Sequence, residues 1–530
     1  MEKPAPRHGL IAAILILMAT AFLLRPMMKP PQLQEGRVLA GPPAWTGLTK
    51  LHELRRQTDA WVADRFPARP YLIGWLNAAR LAIGDSGSDR VLAGRDGWLF
   101  YNDGTRLGPA RAKPPLTDAE AAEWLRGLSG RVATLEGTGA AYLVVVPPAK
   151  ETIYPQFGPA WFPGPSPQRT SLKLAALAAR TEPGHVVHLR DPVLAVAASG
   201  TDAFSRHDTH WTGDGAYAGY AAIMDQLRAQ GIDQPTRPLS DFRPVVNGVN
   251  PPRDLALMLG VASFVPIHYR GYVDPAAETY RTTWLSERRG WIAPQVVETG
   301  QAGKPTLLLT RDSFSSALTP FLLGHFSRVV LTHIDDGFWR QDLIDRFRPD
   351  VVMLEVQEHG LGFSMRGSPP VSEAAEARIE RALPNAPTHG PLAPSAPSRG
   401  RFVRISAAPP SLAGLDASAP IPTCAVDQAL MGMHGFVVAG WISDLSPEPR
   451  PTQGGVRLSG PAGDFVQPLQ MDQVRPDVGA YFKRPVAEPS GFAATLSLQG
   501  LPPGTYDLRV YRRSATGWIG CSGPKGLIRP

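Results

Sequence analysis

Apolar and polar positions in the middle of the chain follow two periods in turn, one typical of strands and one typical of helices. Uninterrupted apolar runs predict buried strands, at 141–146, 307–310, 328–333 and 351–356. Segments with helical spacing lie between these runs, and a capping box from Thr117 to Glu120 opens one that continues to about Glu136. Apolar strands that alternate with helices are typical of a parallel sheet covered on both faces. We therefore expect an α/β fold with a doubly wound parallel sheet.

The pattern is different on both sides of this central region. Helical spacing continues through 25–85, whereas 367–420 is rich in Pro, Ala and Ser, as linkers are. Short apolar runs between turns predict an all-β sandwich for 421–530. The α/β domain is therefore expected at 86–366. Within it, 235–300 departs from the alternation and is interpreted as an insertion of surface loops.

The N-terminus carries the pattern of a membrane anchor. Residues 9–24 form an uncharged, mostly apolar run that follows a short tail at 1–8. The run is close to the lower limit of roughly 17–25 residues for a span, and flanking basic side chains can reach the headgroups. No small-x-small site follows it, so an uncleaved anchor is favoured over a cleaved signal peptide. We expect a single span, with the bulk of the chain exported.

Composition and charge narrow the classes of partner. The 530 residues carry a formal net charge of +7 and a pI of about 9.4. This balance suits solubility, or attraction to anionic polymers and membrane surfaces. No basic run is interleaved with aromatic residues, so nucleic acid is not an expected partner. The two cysteines, Cys424 and Cys521, predict a disulfide in an exported domain, with two free buried thiols as the alternative.

Two short motifs, far apart in the chain, carry the candidate chemistry. Ser313 follows an apolar strand and stands where that strand is expected to turn into a helix, so its backbone N–H would face a developing oxyanion. Asp208 and His210 are separated by one residue, and their side chains can project to the same side of an extended segment. A serine, an imidazole and a carboxylate are the groups that nucleophilic acyl chemistry needs. The two motifs together predict an acyl-transfer enzyme.

Ordinary structural roles for the same residues stay open. Asp312 and Ser313 would both suit a helix cap, and Asp208 and His210 would suit a solvated loop before the next helix. A metal site at His207, Asp208 and His210 is weakly supported, because no distant fourth ligand is evident, and no metal is predicted. The sequence has no phosphate loop, dinucleotide fingerprint or Cys-x-x-Cys pair, so no cofactor is predicted.

Five segments resemble the alginate O-acetyltransferase family, whose catalytic domains are SGNH-hydrolase-like. They are GRDGWLFYND at 94–103, VVVPPAKETIYP at 144–155, HDTHWTGDGA at 207–216, RDLALMLG at 253–260 and RDSFSSALTPFLLGHF at 311–326. In this family the Asp-x-His motif precedes the serine, which is the permuted order found here. The resemblance implies that Ser313 is the nucleophile, His210 the general base and Asp208 its partner. Arg311 stands where such serine blocks often have glycine, which leaves a second oxyanion donor unassigned.

The resemblance also implies a function. An exported, membrane-anchored O-acetyltransferase of exopolysaccharide biosynthesis would pass acetyl through an acetyl-serine to sugar hydroxyls. A multi-spanning membrane acyltransferase would deliver the acetyl group, which fits the absence of a recognisable coenzyme A site. A polysaccharide acetyl-esterase with the same triad, or a non-catalytic polysaccharide-binding scaffold, are the alternatives.

Several further side chains are candidates for substrate contacts. Lys150 and Tyr154 follow the end of a strand, where α/β sheets bind ligands, and Trp211 could stack on a sugar. A surface lysine, a core tyrosine and a core tryptophan are the alternatives. In the C-terminal region, carbohydrate binding would use exposed aromatic residues, for which the candidates are Trp441, Tyr481 and Trp518.

Overall fold

A computed structural model describes most of the chain from residue 51 to residue 529. Within that span, the residues outside the description are 249–251, 288, 366, 387–399, 416–422, 433–434, 444, 446–451 and 515–516. Before it, the description covers 9, 12, 16, 19–21, 23–24, 33 and 39–45. The predicted anchor at 9–24 and the predicted linker at 367–420 thus lie partly outside the described residues. Within the described part of the chain, no helix is long and apolar enough to cross a membrane.

Helices occur mainly in the first three quarters of the chain. They are α1 (Leu51–Arg65), α2 (Arg69–Ala82), α3 (Asp118–Glu136), α4 (Lys150–Ile153), α5 (Thr170–Thr181), α6 (Arg190–Ala198), α7 (Gly213–Ala229), α8 (Asp254–Leu259), α9 (Ser315–Leu322), α10 (Gln341–Phe347), α11 (Glu373–Ala382) and α12 (Pro476–Phe482). The capping box predicted at Thr117 and Glu120 is present at the start of α3, where each residue's side chain bonds the other's backbone.

Strands before residue 360 form the central sheet and two small two-stranded sheets. They are β1 (Val91–Ala93), β2 (Leu99–Tyr101), β3 (Ala141–Val146), β4 (Val186–His188), β5 (Arg243–Val246), β6 (Arg270–Val273), β7 (Arg281–Trp284), β8 (Gln295–Glu298), β9 (Thr306–Arg311), β10 (Arg328–His333) and β11 (Val351–Glu355). The C-terminal strands are β12 (Val403–Arg404), β13 (Cys424–Gly432), β14 (Gly435–Ile442), β15 (Gln453–Gly460), β16 (Gly463–Gln470), β17 (Gly491–Leu496), β18 (Gly504–Ser514), β19 (Gly517–Ser522) and β20 (Leu527–Arg529).

The central sheet has seven strands in the order β4-β3-β11-β9-β10-β8-β7. The first five strands pair in parallel, whereas β8 runs antiparallel to β10 and β7 runs antiparallel to β8. The expected wholly parallel sheet is thus corrected to a mixed one. The interpretation of 235–300 as surface loops is also wrong in part, since β7 and β8 extend the sheet. The edge strand β7 reads Arg-Thr-Thr-Trp and is largely exposed, so it lacks the apolar run that marks interior strands.

Helices pack on both faces of this sheet, as a doubly wound fold requires. One apolar core contains Tyr220 of α7 and Phe321 of α9, and the other contains Trp124 of α3, Leu177 of α5 and Leu343 of α10. Alternate residues of each interior strand enter the two cores, because successive side chains point to opposite faces. The α/β prediction is confirmed for this region.

The C-terminal region is β-rich and contains two antiparallel sheets. One has the order β12-β16-β15-β18-β19 with β20 paired to β18, and the other has the order β13-β14-β17. Apolar side chains from both sheets, among them Val438, Leu458 and Val510, form one core. Cys424 of β13 and Cys521 of β19 form a disulfide with a Cα–Cα distance of 5.9 Å, which confirms the predicted pairing.

Residues near the end of the chain connect the C-terminal region to the α/β region through hydrogen bonds and apolar packing. Arg340 is buried, forms a 2.7 Å ion pair with Asp342 and donates a 2.8 Å hydrogen bond to the Gly526 carbonyl. The backbone N–H of Ile528 donates to the Asp342 carboxylate at 2.9 Å. The Ile528 side chain belongs to the apolar core beneath α10. The two regions therefore share a small buried contact at β20.

Candidate active site

Ser313 lies in a tight turn at the end of the central strand β9. The strand ends at Arg311 and α9 begins at Ser315, two residues later than the sequence pattern predicts. The Asp312 carboxylate accepts hydrogen bonds from the N–H of Phe314 at 2.9 Å and of Gln357 at 2.7 Å. Asp312 thus stabilises the turn, and Ser313 is left exposed at its tip.

The imidazole of His210 joins Ser313 to Asp208. Its Nε2 lies 2.8 Å from the Ser313 Oγ, and its Nδ1 lies 2.7 Å from the Asp208 Oδ1. A carboxylate only accepts, so the tautomer with a proton on Nδ1 donates to Asp208 and leaves Nε2 to accept from the serine hydroxyl. This is the arrangement in which an imidazole can take a proton from serine. The structure brings together the three residues that the sequence singles out.

The charges around His210 favour its protonated form. Burial alone would lower the pKa of His210, but the hydrogen bond to Asp208 and the charges of Asp208, Asp254 and Asp312 outweigh it and raise the pKa. Burial likewise opposes ionisation of Asp208, but the bonds to His210 and to backbone N–H groups hold the Asp208 pKa below its ordinary value. An imidazole of raised pKa is a stronger base, and the imidazolium formed by proton transfer is stabilised.

Asp254, which the motif analysis does not single out, supports the buried carboxylate. Its backbone N–H, at the start of α8, donates to the Asp208 Oδ2 at 2.7 Å. The Asp254 carboxylate accepts from the Thr209 N–H at 2.7 Å and lies 3.8 Å from the His210 Nδ1. Asp254 belongs to one of the five resembling segments, which is the signal that could have identified it.

Asp208, His210 and Asp254 present their ligand-type atoms within 4.8 Å of one another. The hydrogen bonds between His210 and Asp208, and from the Thr209 N–H to Asp254, account for this proximity. The weakly supported metal set had instead included His207. That residue is buried, and burial together with the Lys150 charge lowers its pKa to about 4.

Lys150 and Tyr154 are buried, so the prediction that they contact substrate is corrected. The Lys150 ammonium donates to the carbonyls of Leu99 at 2.6 Å and Ser205 at 3.0 Å, and burial lowers its pKa to about 8. The Tyr154 hydroxyl accepts from the Ala203 N–H at 2.9 Å. A buried side chain needs partners for its polar end, and here the backbone of β2 and of the loop before Asp208 supplies them. Both residues position that loop.

Trp211 is also buried, and the prediction that it stacks on a sugar is corrected in the same way. Its indole N–H donates to the Phe314 carbonyl at 2.9 Å, and its ring packs against the Phe314 ring. The residue after the histidine therefore contacts the residue after the serine. This contact fixes the two motifs relative to each other.

The backbone N–H of Ser313 is the oxyanion donor that the turn offers. Among the hydrogen bonds of the described residues it has no acceptor, whereas the next N–H, that of Phe314, is bonded to Asp312. The Arg311 side chain points away into the protein, where it donates to the Trp291 carbonyl at 3.0 Å and lies over the Trp291 ring. Burial lowers the pKa of Arg311 to about 10.

A second buried acid, Glu355, lies beneath the serine turn and was not predicted. It ends β11, next to β9, and accepts a 3.0 Å hydrogen bond from the Asp312 N–H. Burial and the nearby Asp312 charge raise the Glu355 pKa well above its ordinary value, and burial also raises that of Asp312. Glu355 is therefore held toward its neutral form, since two adjacent carboxylates cannot both ionise cheaply.

Residues 91–342 match the family model of the SGNH hydrolase-like domain of the acetyltransferase AlgX. This part of the chain belongs to that family. All of the triad residues lie within it, and the predictions of family and of an SGNH-type acetyltransferase are confirmed. No curated protein matches the sequence significantly.

Solved structures similar to the AlgX-family domain are distant. The O-acetyltransferase domain of Pseudomonas putida AlgJ aligns at a TM-score of 0.36 and 19% identity, over 55% of this chain and 99% of that one. Bacillus cereus PatB1 with a sulfonyl adduct aligns at 0.40 and 14%, over 52% and 96%. Pseudomonas aeruginosa AlgX aligns at 0.31 and 13%, over 82% and 94%. The family assignment rests on the match at 91–342.

One of the three aromatic residues that were expected to be exposed in the C-terminal region is buried. Trp518 is buried and its indole N–H donates to the Ala413 carbonyl at 2.9 Å, so it offers no surface for a sugar. Trp441 packs edge-on against Phe482, and Tyr481 is exposed. Tyr481 therefore remains available for the carbohydrate binding expected of this region.

Proposed function

We propose that this protein is an exported polysaccharide O-acetyltransferase that passes an acetyl group through Ser313 to a sugar hydroxyl. The observation that supports this most is the continuous hydrogen-bonded chain from Asp208 through His210 to an exposed Ser313, inside an AlgX-family domain. A nucleophile, a base and a buried orienting carboxylate are all within bonding distance. No further group is needed to activate the serine.

In the first step, the Ser313 Oγ attacks the carbonyl carbon of an acetyl ester or thioester while its proton passes to the His210 Nε2. The negative charge develops on the acetyl oxygen, toward which the Ser313 N–H can donate. The tetrahedral intermediate collapses, the imidazolium returns the proton to the leaving alcohol or thiol, and Ser313 carries the acetyl group. Asp208 keeps its charge and stabilises the imidazolium throughout.

In the second step, a sugar hydroxyl attacks the acetyl-serine. His210 takes the proton of that hydroxyl and returns it to the Ser313 Oγ as the new ester is released. Over the two steps one acetyl group is transferred to the sugar, and Ser313 and His210 return to their starting protonation states. The nature of the acceptor depends on what the exposed serine tip admits, since water and sugar hydroxyls react by the same route.

Delivery of the acetyl group is part of the proposal. The donor would be a multi-spanning membrane acyltransferase, and the catalytic domain would face the periplasm from a single N-terminal span at 9–24. The sequence run supports this arrangement, and an exopolysaccharide would be the acceptor in the same compartment. N-terminal sequencing of the membrane-extracted protein tests the span, because an uncleaved anchor leaves residues before Gly9 in place.

Incubation with an activated acetyl ester tests the reaction. Without acceptor, mass spectrometry should find one acetyl group on the peptide that contains Ser313; with an oligosaccharide acceptor, acetyl should move to the sugar. The Ser313→Ala variant should lose both signals, with turnover reduced on the order of a millionfold, while its folding is unchanged. Acetylated sugar with an unlabelled serine would contradict the covalent route, and free acetate with unmodified sugar would identify an esterase.

A further inference from the structure

Within the described part of the chain, helix α2 packs on the α/β region through one face. A Cβ added to Gly74 would lie 2.6 Å from the Gly260 carbonyl oxygen at the end of α8, so only glycine allows this approach. The Asn77 amide donates to the Leu259 carbonyl at 2.8 Å. Leu81 joins the small apolar core that contains Leu259. These contacts define the face of α2 that packs on the domain.

The opposite face of α2 is also apolar, and it is exposed. Leu72, Trp75, Leu76 and Ile83 at the helix C-terminal end are 60%, 66%, 55% and 81% exposed. At 3.6 residues per turn, Leu72 and Leu76 lie about half a turn from Gly74 and Trp75 lies somewhat more than a quarter turn from it. The three share one stripe, and Ile83, the residue after the helix, extends it. A surface helix normally carries polar residues there, and a helix that is apolar all round is normally buried.

The exposed stripe continues onto neighbouring elements. Phe264, also exposed, packs edge-on against Trp75 at 5.1 Å between ring centroids. On the other side, a groove between α1 and α2 is lined by Val62, Ala63, Phe66, Arg69, Leu72 and Ile73. An apolar surface of this kind is unusual for a soluble monomer and marks an interaction site.

We propose that this surface lies in the interface of a lipid bilayer, with α2 parallel to the membrane plane. The chain before it carries the apolar run at 9–24, so a bilayer is the apolar phase expected closest to α2. Trp75 in the stripe and the exposed Trp45 ahead of α1 are of the residue type enriched at headgroup depth. The stripe itself contains no charged residue, as insertion of a helix face requires.

This orientation bears on the catalytic site. α2 packs on the last turn of α8, and the first N–H of α8, that of Asp254, holds Asp208. Six residues of helix span about 9 Å. The triad would thus lie close to the membrane surface, where an acyl group arriving through the membrane first becomes accessible. The inference concerns orientation, and it can fail while the proposed acetyl transfer stands.

A depth-sensitive label tests the orientation in the full chain. Both natural cysteines are in a disulfide, so Leu76→Cys introduces a single free thiol for an environment-sensitive fluorophore. The matched control is Val474→Cys, at a position that is 65% exposed in the C-terminal region. In phosphatidylcholine–phosphatidylglycerol vesicles containing doxyl-labelled lipid, the label at position 76 should be quenched several-fold more than the label at 474. Equal quenching at the two positions would overturn the proposal.

A second variant separates the stripe from the apolar run. Leu72→Glu with Ile83→Glu, in the chain labelled at position 76, should abolish the lipid quenching and leave hydrolysis of a small acetyl ester unchanged. Quenching that survives these charges would overturn the proposal, since the stripe would then not be the contact. Disulfide-linked dimers of unlabelled Leu76→Cys, formed in place of lipid contact, would assign the surface to a second copy instead.

Discussion

The α/β region and the C-terminal β region differ in how they treat buried charge. The α/β region buries acids around its catalytic serine, among them Asp208 and Glu355. In the described part of the C-terminal region, by contrast, Arg512 is the one charged side chain that is buried, and it donates to a backbone carbonyl. Burying a charge costs free energy. Buried charges that are concentrated in one region therefore indicate that this region contains the functional site.

Not every buried charge in the α/β region belongs to the site. Glu358 follows β11 at the same edge of the sheet, and its ion pairs with Arg169 and His188 lower its pKa to about 2 despite burial. That cluster is internally neutralised. The triad differs because it ends in the exposed hydroxyl of Ser313, whose side-chain partner among the described residues is His210. The comparison predicts that changes at the triad alter activity, and that changes at the disulfide alter stability.

After Ser313→Ala, the largest expected effect is that of Asp208→Asn. The amide keeps the shape but does not hold the imidazole in the required tautomer, and such a change lowers turnover about ten-thousandfold in a serine triad. Activity of the wild type should fall as pH drops through the raised pKa of His210, because the base must be neutral. Removing the Asp208 charge lowers that pKa, so the acid limb of the pH–rate profile should move to lower pH.

Asp254→Asn is the matched control for this prediction. Its carboxylate lies 3.8 Å from the His210 Nδ1, beyond hydrogen-bonding distance, and its amide can still accept from the Thr209 N–H. We expect a loss of less than about tenfold, since only a charge at a distance is removed. Equal losses in the two variants would show that the pair of acids acts as a unit, and the assignment of Asp208 alone as the partner would be wrong.

Removal of the disulfide should have the next largest effect, and it should fall on stability. The bond closes a loop of 97 residues, which in the chain-entropy model stabilises the folded state by about 4–5 kcal/mol. The Cys424→Ala, Cys521→Ala double variant should therefore unfold its C-terminal region at lower temperature in calorimetry. Hydrolysis of a small acetyl ester at temperatures below that transition should be unchanged, because every triad residue lies outside the loop.

The reduced wild-type protein is the control for the disulfide, since it lacks the bond but keeps both side chains. It should show the same lowered transition as the double variant. The contact of Ile528 with Asp342 is where the regions could be coupled. If ester hydrolysis is lost together with the C-terminal transition, that contact transmits unfolding into the α/β region, and the two regions are not separable.

Sequence patterns predicted the interior of the α/β region well and its edge poorly. Strands such as Ala141–Val146 and Arg328–His333 match the predicted bounds, because both faces are buried and the apolar runs are continuous. The strands Arg281–Trp284 and Gln295–Glu298 were missed, since the first is a polar strand at the edge and the second has only two consecutive apolar residues. In the C-terminal region, Gly435–Ile442 was predicted from a short apolar run between turns, and in the structure its buried and partly exposed positions alternate.

The triad residues could be predicted from the sequence, whereas the roles of the residues that support them could not. Asp208, His210 and Ser313 belong to recognisable local motifs, and the fold had only to bring the motifs together. The roles of Lys150 and Trp211 depend on which backbone carbonyl each one meets, at Leu99 and Phe314, and no local pattern carries that information. Both residues were therefore predicted to contact substrate, although they stabilise the loops that carry the triad.

The smallest expected effect concerns Glu355, because its protonation affects stability and its hydrogen bond supports the turn that carries Ser313. Its raised pKa keeps a proton in the folded state, so the wild type should lose stability as pH rises above the unfolded value near 4.5. Glu355→Gln keeps an oxygen for the Asp312 N–H and has no proton to lose. Its stability relative to wild type should therefore grow between pH 5 and pH 8, with little change in turnover.

Glu355→Ala should be less stable than wild type, although its stability relative to wild type should change with pH in the same direction as that of Glu355→Gln. It leaves the Asp312 N–H without its acceptor, which costs about 1–3 kcal/mol for a buried donor, and it loosens the turn that presents Ser313. Urea unfolding of the α/β region at pH 5 and pH 8, with ester hydrolysis measured in parallel, compares both variants with wild type. A stability difference between Glu355→Gln and wild type that is the same at both pH values would mean that Glu355 is ionised in the folded protein. Glu355 would then contribute a negative charge close to the triad. It could no longer be regarded as a neutral residue that only supports the serine turn.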